Sequence, residues 1–136
     1  MEPAIEQNAN AERPGEVTRA VQFLASSLAI GLLNSVFRLA QRTSGAPMFL
    51  ALLIVIFAFG LLFFLVMKVS AGRNWARIIV LILVLFGIPF AIPAYLQEVR
   101  RNVLSGTLSI IIVLLQLGGT YLLFTRKSNL WFRTRK

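Results

Sequence analysis

The chain contains no cysteine and no histidine, and its five acidic residues are all glutamates, so aspartate is missing too. Without thiols and imidazoles there is no disulfide, no zinc or iron-sulfur ligation, no thiolate nucleophile and no imidazole base. Four of the glutamates, Glu2, Glu6, Glu12 and Glu16, lie near the N-terminus, and Glu98 stands alone. They are too scattered for an oxygen cage around a hard cation, so the sequence assigns no catalytic, metal or cofactor-binding residue. Charge of either sign is scarce as well. Charged residues make up 14% of the chain, where soluble domains have about 25%.

What fills the space is apolar: 57% of the 136 residues are hydrophobic and the mean hydropathy is +0.78. The expected class is all-α, an integral membrane four-helix bundle running up-down-up-down, with spans at about 21–39, 48–67, 75–96 and 103–124. Residues 1–19 read as a flexible tail, 20–125 as the transmembrane domain and 126–136 as a basic interfacial tail. The acid-rich start lacks the positive leader of a signal peptide, so the first span is expected to remain uncleaved. Met48 to Met67 has no polar side chain and is the plainest span. Net charge is +9, yet the cations flank the apolar runs and do not cluster on a soluble face. That placement fits anionic lipid, worth about 1 kcal/mol per cation near the surface, and not nucleic acid.

The stretch Gly72-Arg73-Asn74-Trp75-Ala76-Arg77 reads as a hairpin tip between the second and third spans. Gly72 suits a left-handed helix-ending position, Asn74 an N-cap, and Trp75 the headgroup level. Pro89 and Pro93 bend or interrupt the third span, and the carbonyls of Leu85 and Pro89 that they free are candidates to line a cavity. Gln97 to Asn102 reads as a loop on the outer side, with Glu98 in a solvated pair with Arg101 or Arg42. Ten of the lysines and arginines fall on the side of the tip and both termini. The other side holds Arg38, Arg42, Arg100 and Arg101, so both termini are expected in the cytoplasm.

The first and fourth spans each carry a polar stripe at helical spacing, which predicts that they pack on each other. Expected packing residues are Ser27, Gly31, Asn34, Ser109 and Gln116. By depth, Asn34 pairs with Ser109, and Gln116 with Ser26 or Ser27. A headgroup site for anionic phospholipid is expected from Arg73, Trp75, Arg77, Arg126, Lys127 and Trp131, all on the tip side.

The tip, the stretch Leu114-Leu115-Gln116, and Tyr121 to Thr125 with Ser128-Asn129-Leu130-Trp131-Phe132 resemble the recurring signatures of small bacterial inner-membrane proteins with four spans. The likeness runs over nearly the whole chain after the tail. It implies the same topology, a bacterial source and an inner-membrane location, and it carries no activity. The expected function is therefore non-enzymatic: binding of a lipid or a membrane-protein partner, as an auxiliary, scaffold or immunity protein or as a homo-oligomer. The alternative is a small channel or transporter for a neutral or anionic solute, using Asn34, Gln116 and the proline break.

Overall fold

Five helices are present among residues 13–41 and 47–134, which the computed structural model describes. They are α1 (Gly15–Ala40), α2 (Met48–Ser70), α3 (Asn74–Arg101), α4 (Val103–Leu123) and α5 (Arg126–Thr134). The first four are each long and apolar enough to cross a membrane, and they pack as an all-α four-helix bundle. Residues 1–12, most of the connection between α1 and α2, and the last two positions lie outside the described residues, so the expectations for them are not addressed.

Two boundaries differ from the sequence expectation. Helix α1 begins at Gly15, not at about residue 21. Pro14 occupies its N-cap with φ −58°, Glu16 favours the positive end of the helix dipole, and Val17 and Ala20 are fully buried, so this first turn has tertiary support. Helix α3 runs on through Gln97 to Arg101, where the sequence reads as a loop. A single residue, Asn102, then separates α3 from α4. Its backbone is extended (φ −149°, ψ 109°) and its side chain caps α4 by accepting from the N–H groups of Leu104 and Ser105 at 3.0 and 3.4 Å. Such a tight reversal needs a small residue beside it. A Cβ on Gly106 would lie 2.6 Å from the Cα of Val99, so only glycine lets these two helices come this close.

At the opposite end, Gly72 has φ 79° and closes α2. The Arg73 N–H donates to the Lys68 carbonyl and the Gly72 N–H to the Val69 carbonyl, each at 3.0 Å, which is the Schellman pattern. Arg73, not Asn74, holds the N-cap position of α3. Asn74 is already helical and its buried Oδ1 makes no hydrogen bond. This tip end also carries the start of α1 and all of α5.

The packing is uneven. Helices α1 and α4 make the most extensive contact, α3 lies against α4 and α2 against α1, and α2 meets α3 less closely than either of those pairs. The apolar core sits at the tip end. It is built from Val17, Ala20 and Leu24 of α1, Leu65, Val66 and Val69 of α2, Ala76 and Val80 of α3, Leu123 of α4, and Trp131 and Phe132 of α5. Toward the Asn102 end both α2 and α3 turn large apolar side chains outward, among them Phe49, Phe57 and Phe90. In lipid such exposure costs nothing, because acyl chains are as apolar as the side chains. The burial of Trp131 and Phe132 beneath the bundle is different. Helix α5 follows the span, and removing a phenylalanine from water contributes about 1.5–3 kcal/mol.

Candidate functional site

A polar network joins three helices at the Asn102 end. On α1, Asn34 and Arg38 are one turn apart; on α4, so are Ser105 and Ser109; Glu98 faces both from the last turns of α3. The Ser105 hydroxyl donates to Asn34 Oδ1 at 3.1 Å, Asn34 Nδ2 donates to Ser109 Oγ at 3.4 Å, and the Ser109 hydroxyl donates to Glu98 Oε2 at 2.8 Å. Every bond in this relay points toward the carboxylate, so each polarises the next. The other carboxylate oxygen, Oε1, lies 2.8 Å from Arg38 Nε, an ion pair held off hydrogen-bond alignment.

Burial sets the character of this pair. Glu98 is only 8% exposed, whereas the Arg38 side chain is 42% exposed. An ionised carboxylate in so dry a place needs partners, and it draws one from each of α1 and α4. The expected solvated loop pair is thus corrected: Glu98 is a buried helical residue tied to Arg38. Arg42 lies outside the described residues.

A cavity of about 300 Å³ opens above the network, lined by Arg38, Gln41, Ala94, Gln97, Glu98, Arg101, Asn102 and Ser105. That is the lower end of the size range of small-molecule sites. Its walls carry two guanidinium groups against one carboxylate, and that carboxylate is already paired with Arg38. Among the described residues of the cavity wall, Arg101 therefore adds a positive charge with no ion-pair partner. The cavity begins beyond the proline pair and is lined by Ala94 and Gln97, not by Leu85 and Pro89; α3 continues as a helix through both prolines.

The chain matches no family model, no curated protein and no solved structure.

The packing residues expected from the sequence divide. Asn34 and Ser109 meet as described. Gln116 does not reach Ser26 or Ser27: the Ser27 hydroxyl turns back to its own helix and donates to the Leu24 carbonyl at 2.7 Å. Gly31 is covered chiefly by Phe59 of α2, whose ring would lie 3.3 Å from an added Cβ, with Ile112 of α4 at 3.9 Å. The close approach of α1 to α4 occurs instead at Gly119. A Cβ there would stand 3.0 Å from Leu24 Cγ and 3.1 Å from the Ala20 carbonyl oxygen.

The six residues expected to meet headgroups also separate. Arg73, Arg126 and Lys127 are exposed at the tip end, with Lys127 3.3 Å from Glu16 in an ion pair. Trp75 is 44% exposed and stacks obliquely on Phe64, whose ring also lies 5.1 Å from Lys68 Nζ. Arg77 and Trp131, however, point inward and are 8% and 3% exposed. Arg77 Nη1 donates to Asn129 Oδ1 at 2.6 Å and reaches the Leu123 carbonyl at 3.4 Å, while its guanidinium lies over the rings of Phe124 and Phe132. It is a clasp between α3 and α5, placing a cation at the negative end of α4. The Ser128 hydroxyl adds a bond to the Leu122 carbonyl at 2.7 Å, and Asn129 Nδ2 one to the Phe124 carbonyl at 3.0 Å. The last carbonyls of α4 are thereby satisfied by the helix that follows. Arg13, just ahead of α1, is partly buried, and that desolvation lowers its pKa.

Proposed function

We propose that this protein is a non-enzymatic multi-pass membrane protein that acts by binding, and that its recognition site is the polar cavity at the Asn102 end. The ligand is an anionic group, phosphate or carboxylate, held by Arg101 with Arg38 beside it. The observation that carries this reading is the charge inventory of the cavity: two arginines, one of them neutralised by a buried glutamate, among the neutral polar side chains of Gln41, Gln97, Asn102 and Ser105. The side-chain amides of Gln41, Gln97 and Asn102 beside a cation are suited to orienting an oxyanion. Glu98 is 8% exposed, with the Ser109 hydroxyl on one oxygen and Arg38 beside the other, which favours binding over catalysis because little of the carboxylate is open to a substrate. The polar side chains Asn34, Ser105 and Ser109 are likewise spent on one another, which favours binding over conduction.

The lysine and arginine asymmetry supports placing both termini in the cytoplasm, and the resemblance of the tip and the C-terminal stretches supports a bacterial inner membrane, so the cavity would face the outer leaflet. The absence of cysteine makes that orientation directly testable: a single cysteine at Val103 is expected to react with a membrane-impermeant maleimide in intact cells, and one at Arg73 only after lysis. For the site itself, the purified chain in a neutral detergent is titrated with glycerol 3-phosphate. Arg101→Ala is expected to weaken binding about tenfold or more, the worth of one charge-assisted hydrogen bond. Equal affinity in the two proteins would refute the assignment.

A further inference from the structure

A second cavity, about 270 Å³, lies between α1 and α2 and is lined by Ser35, Arg38, Leu39, Ala51, Ile54 and Val55. It differs from the first in kind, because apart from Arg38 and Ser35 its walls are aliphatic. Arg38 is common to both. One side chain thus borders a polar, cationic chamber at the end of the bundle and an apolar groove on its flank. Val55 is seven residues into α2, so the groove descends about 10 Å from that end by helical rise, within a single leaflet.

We infer that the two cavities are one site for a phospholipid with an anionic headgroup, drawn from the leaflet at the Asn102 end. Its phosphate sits with Arg101 and Arg38 in the polar chamber, and one acyl chain lies in the groove of Ala51, Ile54 and Val55. This rests on the headgroup reading above and adds the ligand class. Three features select a lipid over a free anion. The groove lies between two span-length helices, where the neighbouring molecules in a bilayer are acyl chains. Arg38, which borders it, sits in the last turn of α1, where an interfacial phosphate would meet it. Arg38 is pinned by Glu98 through Nε, which leaves its terminal nitrogens to a ligand and fixes the junction between head and tail. A zwitterionic lipid fits the groove equally well but brings its own cation to a chamber that already has Arg101, so the site prefers a net negative headgroup.

The test uses the full chain in neutral detergent, titrated with dioctanoyl phosphatidylglycerol, dioctanoyl phosphatidylcholine and glycerol 3-phosphate, with binding read by native mass spectrometry. Wild type is expected to bind the phosphatidylglycerol at least tenfold more tightly than either of the others. Ala51→Trp, which fills the groove, is expected to lower phosphatidylglycerol affinity about tenfold while leaving glycerol 3-phosphate within twofold. Val55→Trp repeats that arm from a second position, so a folding defect in one variant does not decide the matter. If both groove variants fold, by circular dichroism, and both bind phosphatidylglycerol like wild type while Arg101→Ala does not, the acyl-chain assignment is overturned and the headgroup reading stands. If Arg101→Ala changes neither ligand, both fall together.

Discussion

The Arg38–Glu98 pair predicts an asymmetry that a symmetric surface salt bridge would not show. Removing Arg38 leaves a carboxylate 8% exposed with the Ser109 hydroxyl as its remaining partner among the described residues. Stranding a buried charge costs about 3–5 kcal/mol, and the retained Ser109 bond argues for the lower value, about 3 kcal/mol. Replacing Glu98 with glutamine is milder. The amide oxygen still accepts from Ser109, and Arg38, with a side chain 42% exposed, is rehydrated, so the loss is about 1 kcal/mol, as for a partly solvated pair. The difference of about 2 kcal/mol corresponds to roughly thirtyfold in the unfolding equilibrium. The double variant Arg38→Ala/Glu98→Gln has no charge left to strand, and it is expected to be about 2 kcal/mol more stable than additivity of the single variants requires. Unfolding by titration with sodium dodecyl sulfate in mixed micelles, followed by far-ultraviolet circular dichroism, reads all four proteins on one scale. If Glu98→Gln proves as damaging as Arg38→Ala, or the double variant is simply additive, the buried carboxylate is not what this end of the bundle is built around.

Three other outcomes follow from the same geometry. Gly106→Ala places a methyl 2.6 Å from backbone, so it is expected to cost about 1–3 kcal/mol in the same titration by overpacking, whereas Gly87→Ala, where an added Cβ meets nothing within 4 Å, is expected to be neutral or slightly stabilising. Gly72→Ala forces a side chain into φ 79° and is expected to cost about 1–2 kcal/mol, without changing lipid binding at the far end. Arg77→Gln loses the cation held between Phe124 and Phe132 and weakens the clasp on α5. In a Trp75→Phe background, Trp131 fluorescence is then expected to shift to the red and become quenchable by acrylamide, while an unchanged spectrum would show that α5 stays docked without Arg77.

The span count and the antiparallel order were legible because they rest on solvation, which acts residue by residue: apolar runs of this length have one suitable solvent. The Asn34 and Ser109 stripes were legible too, since periodicity shows which residues share a face. The site itself was not. Gln97 to Arg101 is polar, and a polar run after a span reads as loop; only the partners that α1 and α4 bring to Glu98 make helix the better state there. Arg77 was misread for a related reason. A flanking arginine beside a tryptophan ordinarily snorkels, and nothing local reveals that Phe124, Asn129 and Phe132, some fifty residues on, close over it. Gln116 shows the limit of depth arithmetic, which matches levels along the helix axes but says nothing about the azimuth of each side chain. Of the two close approaches that mattered most, Gly106 against Val99 and Gly119 against Ala20, neither has a sequence signature beyond the glycine itself.

Nothing of α2 takes part in the tie that α1, α3 and α4 make at the Asn102 end, and its buried residues are all in the last two turns before the Gly72 tip. Nearer the Asn102 end its side chains border the flank groove, with Phe59, one turn on, over Gly31. Widening that groove breaks no bond of the polar relay, so on the lipid reading proposed above a molecule would come and go sideways through the bilayer, and its occupancy would follow the make-up of the surrounding membrane.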